Sequence, residues 1–464
     1  MAVKNKITTS ESKCAEIVIL LLSIAKWVVL AGLAGGAAGV GITYFLKLLH
    51  IGIEFGQEMR YWWVALPVAG AISSLLILYV SPESYGHGTE AVIRSVNRQN
   101  GRMPLLVAPI KTLATAISIS FGASAGKEGP SAQIGASLAS TMASVLRLTV
   151  DDHQRLTMCG LASGFSVITG APVAGSLFAM EALRMGQPFY SSLLPVVVSS
   201  MSSIAVARWL GWWHPLHAEF NIPAIDPVVA LKVGIAALFV GLVAWLYIEA
   251  EHAVGHMFHK IRYLPLRTFA GGIVLVLLAL LFSRRYLGLG VEIYEEALAG
   301  MPVDSFAFAL KILFVAVTLG SGFSGGAMTP VFVIGAAAGA SISRVLGLDS
   351  AFGAAIGIVG LLAGAANTPI AAVALGLEAF GSSFGSYALM AASLAYVISG
   401  HRSINATQML GQPKSIGFAV DHRQTCEDKA SVWFADSTLR SFRWLLPQER
   451  KNSNKPKAGG KGKR

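Results

Sequence analysis

The chain has 464 residues, 54% of them hydrophobic and 13% charged, with a mean hydropathy of +0.61. A soluble domain carries about 25% charged residues, so hydropathy excludes the soluble nucleic-acid binder that a net charge of +11 and a pI of 9.6 would otherwise suggest. Three scattered cysteines, Cys14, Cys159 and Cys426, fit neither a disulfide framework nor a metal site and read as structural.

Lys4, Lys6 and Lys13 precede an apolar run from Ile17 to Leu49. That run is too long for a secretory signal and no cleavage site ends a short core, so it is predicted to stay as the first membrane helix. Further apolar segments run Trp62–Val80, Pro104–Phe121, Val228–Tyr247, Thr268–Phe282, Phe306–Leu319 and Tyr387–Ser399. Several approach the roughly 20 residues needed to cross a bilayer. The shorter ones, interrupted by Gly and Pro, fit the broken helices from which transporters build ion sites at mid-membrane.

Trp62, Trp63, Trp209, Trp212 and Trp213 read as aromatic belts at the membrane surface. His252, His256 and His259 share a helix face and could hold a metal. With Glu249, Glu251 and Lys260 beside them, they read better as the wet end of the helix that begins near Val228. Arg450–Arg464 carries seven Lys or Arg and no acid. Together with the N-terminal lysines this places both chain ends in the cytoplasm.

The stretch FGASAGKEGPSAQIGA, Phe121–Ala136, holds a lone charged pair, Lys127 and Glu128, in a glycine-rich turn. Pro130 suits the start of a helix, and the unpaired amides at that start make either an anion site or merely a tight interhelical loop. A phosphate-cradling loop is excluded, because no Gly-Lys-Ser/Thr ending and no flanking βαβ pattern is present. A carboxylate at Glu128 would fill the anion site whenever no other anion does.

A second copy favours the anion site. SGFSGGAMTPVFVIGA at Ser321 repeats the first stretch at an offset of 200 residues without a gap. PVAGSLFAMEA at Pro172 is answered by PIAAVALGLEA at Pro369, and GHGTE at Gly86 by GLGVE at Gly288. Three blocks in one order imply duplicated halves with a site at their interface. If the halves are inverted, the helices starting at Pro130 and Pro330 aim their positive ends at one point and select an anion without a buried full positive charge.

GHGTE, GKEGP at Gly126, GGAMTP at Gly325 and SGHRSINATQ at Ser399 resemble, in type and order, the filter segments of the CLC family of chloride channels and chloride/proton antiporters. The resemblance spans Gly86 to Gln408 and implies an all-α polytopic membrane protein of two inverted-topology repeats with about 18 broken and tilted helices. The expected organisation is a cytoplasmic N-terminus at 1–16, membrane halves at 17–215 and 216–411, and a cytoplasmic basic tail at 412–464. The resemblance also implies a homodimer in a cell membrane, that of bacteria by the type of its motifs. Its partners would be chloride or another halide, protons and lipid, with no nucleic acid and no cofactor. The residues after Gln408 are too few for the nucleotide-sensing modules of some members.

By position, Glu128 is similar to the external gate. Lys127, Glu128 and Gly129 would offer amides to an outer site, and Ala327 and Met328, followed by Thr329, to a central one. His87, with Gly88 after it, stands where many members have a serine, and Asn405 where they have a tyrosine. Each can donate to an anion, or can turn away and leave coordination to the backbone. The internal proton acceptor of coupled members falls at Ala182, leaving Glu181 either as a substitute on the proton path or as a structural acid. Thr329 and the altered central residues also resemble the fluoride-selective branch, so a fluoride/proton antiporter is the alternative within the family. The alternative from another class, a non-transporting membrane enzyme or receptor, lacks paired acids or a nucleophile with its base, so no enzyme is expected.

Overall fold

The computed structural model describes residues 11–427 and 432–434. Among them are sixteen α-helices, eight per half, where the resemblance implied about 18. The first half holds α1 (Glu11–Glu58), α2 (Leu66–Val80), α3 (Thr89–Arg98), α4 (Val107–Ser120), α5 (Glu128–Val145), α6 (Val150–Thr169), α7 (Pro172–Glu181) and α8 (Leu193–Trp209). The second holds α9 (Pro227–Phe258), α10 (Leu264–Leu281), α11 (Val291–Leu298), α12 (Ala307–Gly320), α13 (Met328–Leu346), α14 (Ser350–Ala366), α15 (Pro369–Phe380) and α16 (Gly385–Ile398). Six helical stretches among the described residues are apolar and long enough to cross a membrane.

Each helix of one half has its counterpart in the other, and the packing repeats too: α5 lies on α6 as α13 lies on α14, and α1 on α8 as α9 on α16. These helices approach at glycines. A Cβ at Gly335 would stand 2.9 Å from the carbonyl carbon of Gly357, and one at Gly164 2.7 Å from that of Ser131. The halves run in opposite senses. Lys47 near the end of α1 donates to Leu210 O at 2.7 Å, on the side from which α9 then departs, so the counterparts α1 and α9 are antiparallel.

Helix ends at the junction are capped across it. Glu181, closing α7, accepts the α15 amides of Ile370 (3.2 Å) and Ala371 (2.7 Å). Glu378 on α15 accepts the α7 amides of Val173 (3.0 Å) and Ala174 (2.8 Å). A carboxylate at a helix start meets both the free amides and the positive dipole end. The structural reading of Glu181 therefore accounts for both its oxygens.

Three expectations are corrected. The expected tail at 412–464 does not begin where packing ends: β2 (Met409–Leu410) pairs in parallel with β1 (Arg184–Met185), and Met185, Leu410 and Val420 form a small core there. A hairpin of β3 (Phe418–Val420) and β4 (Val432–Phe434) follows, while the rest of the basic tail, including Arg450–Arg464, lies outside the described residues. Of the tryptophans expected in aromatic belts at the surface, Trp63 is instead buried in the main core, while Trp209 is exposed and Trp212 and Trp213 line a cavity. Glu251 is not at a wet helix end but buried, 6% exposed, because α9 turns it toward the segment around His87. Glu249 does reach the surface, where it meets Arg402.

Replacing Glu378 or Glu181 by Ala strands two helix-start amides, each variant losing about 1–3 kcal/mol per uncompensated buried group. The expected readout is a lower unfolding midpoint in detergent, with a smaller drop for the Gln variants.

Candidate functional site

The starts of α5 and α13 meet head to head. Gly126 N donates to Gly326 O at 2.6 Å and Gly326 N to Gly126 O at 2.8 Å, an antiparallel bridge between equivalent residues of the halves. Only glycine fits there. A Cβ at Gly126 would lie 2.7 Å from Thr329 N and 2.9 Å from Glu128 Oε2, and one at Gly326 2.7 Å from Gly129 N. The helices begin at Glu128 and Met328, two residues before the prolines; a proline costs no hydrogen bond anywhere in a first turn. Neither start has a capping side chain on its N-cap residue.

Glu128 lies at this junction, 3% exposed. Its carboxylate accepts a hydrogen bond from the hydroxyl of Thr329, a side chain from the other half, and the same hydroxyl oxygen accepts one from the Lys127 amide at 3.0 Å. One hydroxyl thus ties the acidic side chain of one helix start to the backbone of its own turn. Two helix ends with free amides converge here, an arrangement whose positive potential suits an anion, and the Glu128 carboxylate lies within it.

A cavity of about 690 Å³ opens above Glu128, lined among others by Lys47, His50, Lys127 and His214, with Glu295 and Tyr294 facing them. We refer to this as the vestibule. Below the junction, the loop Gly86–Gly88 packs against α5: a Cβ at Gly88, whose φ is +77°, would stand 2.9 Å from Pro130 N, and His87 O abuts Gly129. The loop is held by a buried amine, Lys111, which donates to Ser84 O (3.1 Å) and Gly86 O (2.6 Å). Lys311 does the same in the other half, to Tyr286 O (3.1 Å) and Gly288 O (3.0 Å).

His87 turns Nδ1 toward Glu251 Oε1 at 3.2 Å. Asn405 is 1% exposed; its backbone N–H donates to Ser403 Oγ at 3.1 Å, and its side-chain Nδ2 has no hydrogen-bond partner among the described residues. Thr407 donates to Glu90 O in α3 at 3.2 Å, which sets the Asn405 turn on the same side of the junction as His87. Lys127, Glu128, Gly129, Ala327, Met328 and Thr329 thus gather at the crossing, His87 and Gly88 lie against it, and Glu181 is engaged elsewhere.

Sequence reasoning missed Tyr247, fully buried, whose hydroxyl donates to Ala327 O at 3.3 Å, and it misplaced Glu251. Their spacing of four residues, one helix face, was a usable signal. It also passed over Lys111 and Lys311, charged residues alone in apolar helices at the repeat offset.

The model of the voltage gated chloride channel family matches residues 69–400. A chloride/fluoride channel protein of Pseudomonas syringae pv. tomato is 33% identical over 408 residues, covering 85% of this chain and 89% of that protein. A voltage-gated ClC-type chloride channel ClcB of Escherichia coli is 28% identical over 286 residues, covering 58% and 67%. Among solved structures, a CLC-type fluoride/proton antiporter superposes with a TM-score of 0.80 at 27% identity, covering 84% of this chain and 99% of that one.

Thr329→Val keeps the side-chain shape and removes the shared hydroxyl, leaving the buried Lys127 N–H and the Glu128 carboxylate short of a partner. A loss of about 1–3 kcal/mol is expected, read as a lower unfolding midpoint in detergent, with most of it restored in Thr329→Ser.

Proposed function

Since the chain belongs to the voltage gated chloride channel family, we propose that it carries chloride or a related halide across a cell membrane, in exchange for or alongside protons, with Glu128 as the gate. The observation that carries this reading is the buried Glu128 carboxylate at the paired starts of α5 and α13, with the vestibule above it. An anion arriving from the vestibule meets amides and helix dipoles but finds the place taken. Protonation cancels the attraction that holds the carboxylate there, and the side chain gives way. Anion passage and proton uptake then share one group.

Below the gate, the amides of Ala327 and Met328, the ring of His87 and the unpartnered Nδ2 of Asn405 form the next coordination step. An amide N–H without a buried partner is costly, and an anion in the path would satisfy it. The vestibule faces outward and the 401–427 segment faces the cytoplasm, consistent with basic residues at both chain ends. The halves at 17–215 and 216–411 enclose one path, and two copies form a homodimer with a path in each.

A fluoride reading is favoured by one observation, the Thr329 hydroxyl on Glu128, together with the likeness to a fluoride/proton antiporter. Flux from proteoliposomes loaded with chloride or with fluoride, recorded together with proton movement, separates the two.

Glu128→Gln is expected to abolish the pH dependence of anion flux and any proton movement; a variant that keeps both sinks the gate assignment. Asn405→Leu removes a donor worth about 1.5–3 kcal/mol to a charged partner. Anion affinity measured by calorimetry is expected to fall at least about tenfold, whereas unchanged affinity means that the backbone alone coordinates.

A further inference from the structure

Four other charges within the helical region have partners that account for them. Lys111 and Lys311 each reach two loop carbonyls, and Glu181 and Glu378 each cap two amides. Glu251 is different. Its Oε2 has no hydrogen-bond partner among the described residues, and its Oε1 lies 3.2 Å from His87 Nδ1, within charge-pairing range but without a formed hydrogen bond. The other titratable groups facing it are Glu90 of α3, which engages Arg94 at 2.8 Å, and its α9 neighbours His252 and Tyr247.

A carboxylate so enclosed within a membrane helix must find a cation or a proton. The geometry offers both. The His87 side chain is 20% exposed and Glu251's 7%, so the ring is the more open member of the pair. The loop that carries His87 packs directly on Gly129, next to the gate. One turn earlier on α9, Tyr247 donates to Ala327 O and holds that helix against the start of α13. Near its end, Glu249 meets Arg402, so this part of α9 lies toward the face carrying residues 401–427.

We propose that Glu251, paired with His87, is the acid through which protons enter the anion path from the face opposite the vestibule. This rests on the proton-linked reading above. A proton from the bath forms an O–H bond on Glu251. Its transfer breaks that bond and forms Nδ1–H on His87, leaving carboxylate beside imidazolium. The imidazolium then releases its Nε2 proton to the path below Glu128, leaving the carboxylate and the Nδ1–H form of the neutral ring, and proton exchange with water at the two ring nitrogens returns the Nε2–H form before the next proton. The route avoids Glu181, whose oxygens are committed to α15.

Glu251→Gln in proteoliposomes is expected to cut proton flux at least about tenfold, the low end of what a positioned proton carrier contributes, while voltage-driven anion flux persists. Glu251→Asp restores proton flux, which a purely structural role would not predict, and Glu181→Gln leaves the proton-to-anion ratio unchanged. A folded Glu251→Gln protein that keeps the wild-type ratio, or an Asp variant as defective as Gln, overturns the proposal. If the wild type moves halide with no protons at all, it is the proton-linked reading that fails, a result distinct from either. Should Glu251→Gln not fold, the wild type decides. A carbodiimide reactive toward protonated carboxyls is expected to label Glu251, increasingly as the bath turns acid, and no labelling at any pH refutes the assignment.

Discussion

The bridge between Gly126 and Gly326 is the contact on which the rest depends. It forces two helix starts to converge, and converging positive dipole ends repel unless something negative lies between them. The Glu128 carboxylate meets that demand from within the chain, and the Thr329 hydroxyl fixes where it sits. Because the acid belongs to one half and its anchor to the other, any change in the registration of the halves is felt at Glu128. The close approach is possible only because the positions in contact have no side chain.

Around this junction the protein satisfies buried charge mainly with backbone groups. Amines meet loop carbonyls and carboxylates meet helix-start amides, twice each, in two-fold arrangement. In a membrane these fixed dipoles are suitable partners, since they satisfy a charge without adding a second one to desolvate. The amines hold the Gly86–Gly88 loop and its counterpart, and the carboxylates lock α7 to α15. The scaffold that positions the path is thereby rigid.

The two halves differ most at this crossing. Glu128 is answered by Met328, Gly129 by Thr329, and His87 by Leu289. A strictly symmetric site would present the same chemistry to both faces of the membrane. Instead one side has a cavity lined by lysine, histidine and glutamate above the Glu128 carboxylate, and the other a histidine and acid pair with an unpartnered amide. The order of groups along the path gives it direction.

Hydropathy, glycine spacing and a gap-free repeat are local properties, so the chain alone reveals the membrane class, the duplication and the junction. It located Glu128 and Thr329, and it paired Glu181 with Glu378 as equivalents. It did not decide between a relay and a structural acid for Glu181, since the partners of that carboxylate are amides nearly 190 residues away. Nor did it separate Glu249 from Glu251, two residues apart on one helix, one exposed and the other buried against His87. Which face of α9 turns inward, and how the 409–420 segment joins the strand at Arg184–Met185, depend on packing between distant helices and on a strand pairing of two residues. Such contacts leave too short a local pattern to be read from the chain, and they become definite only when the helices pack.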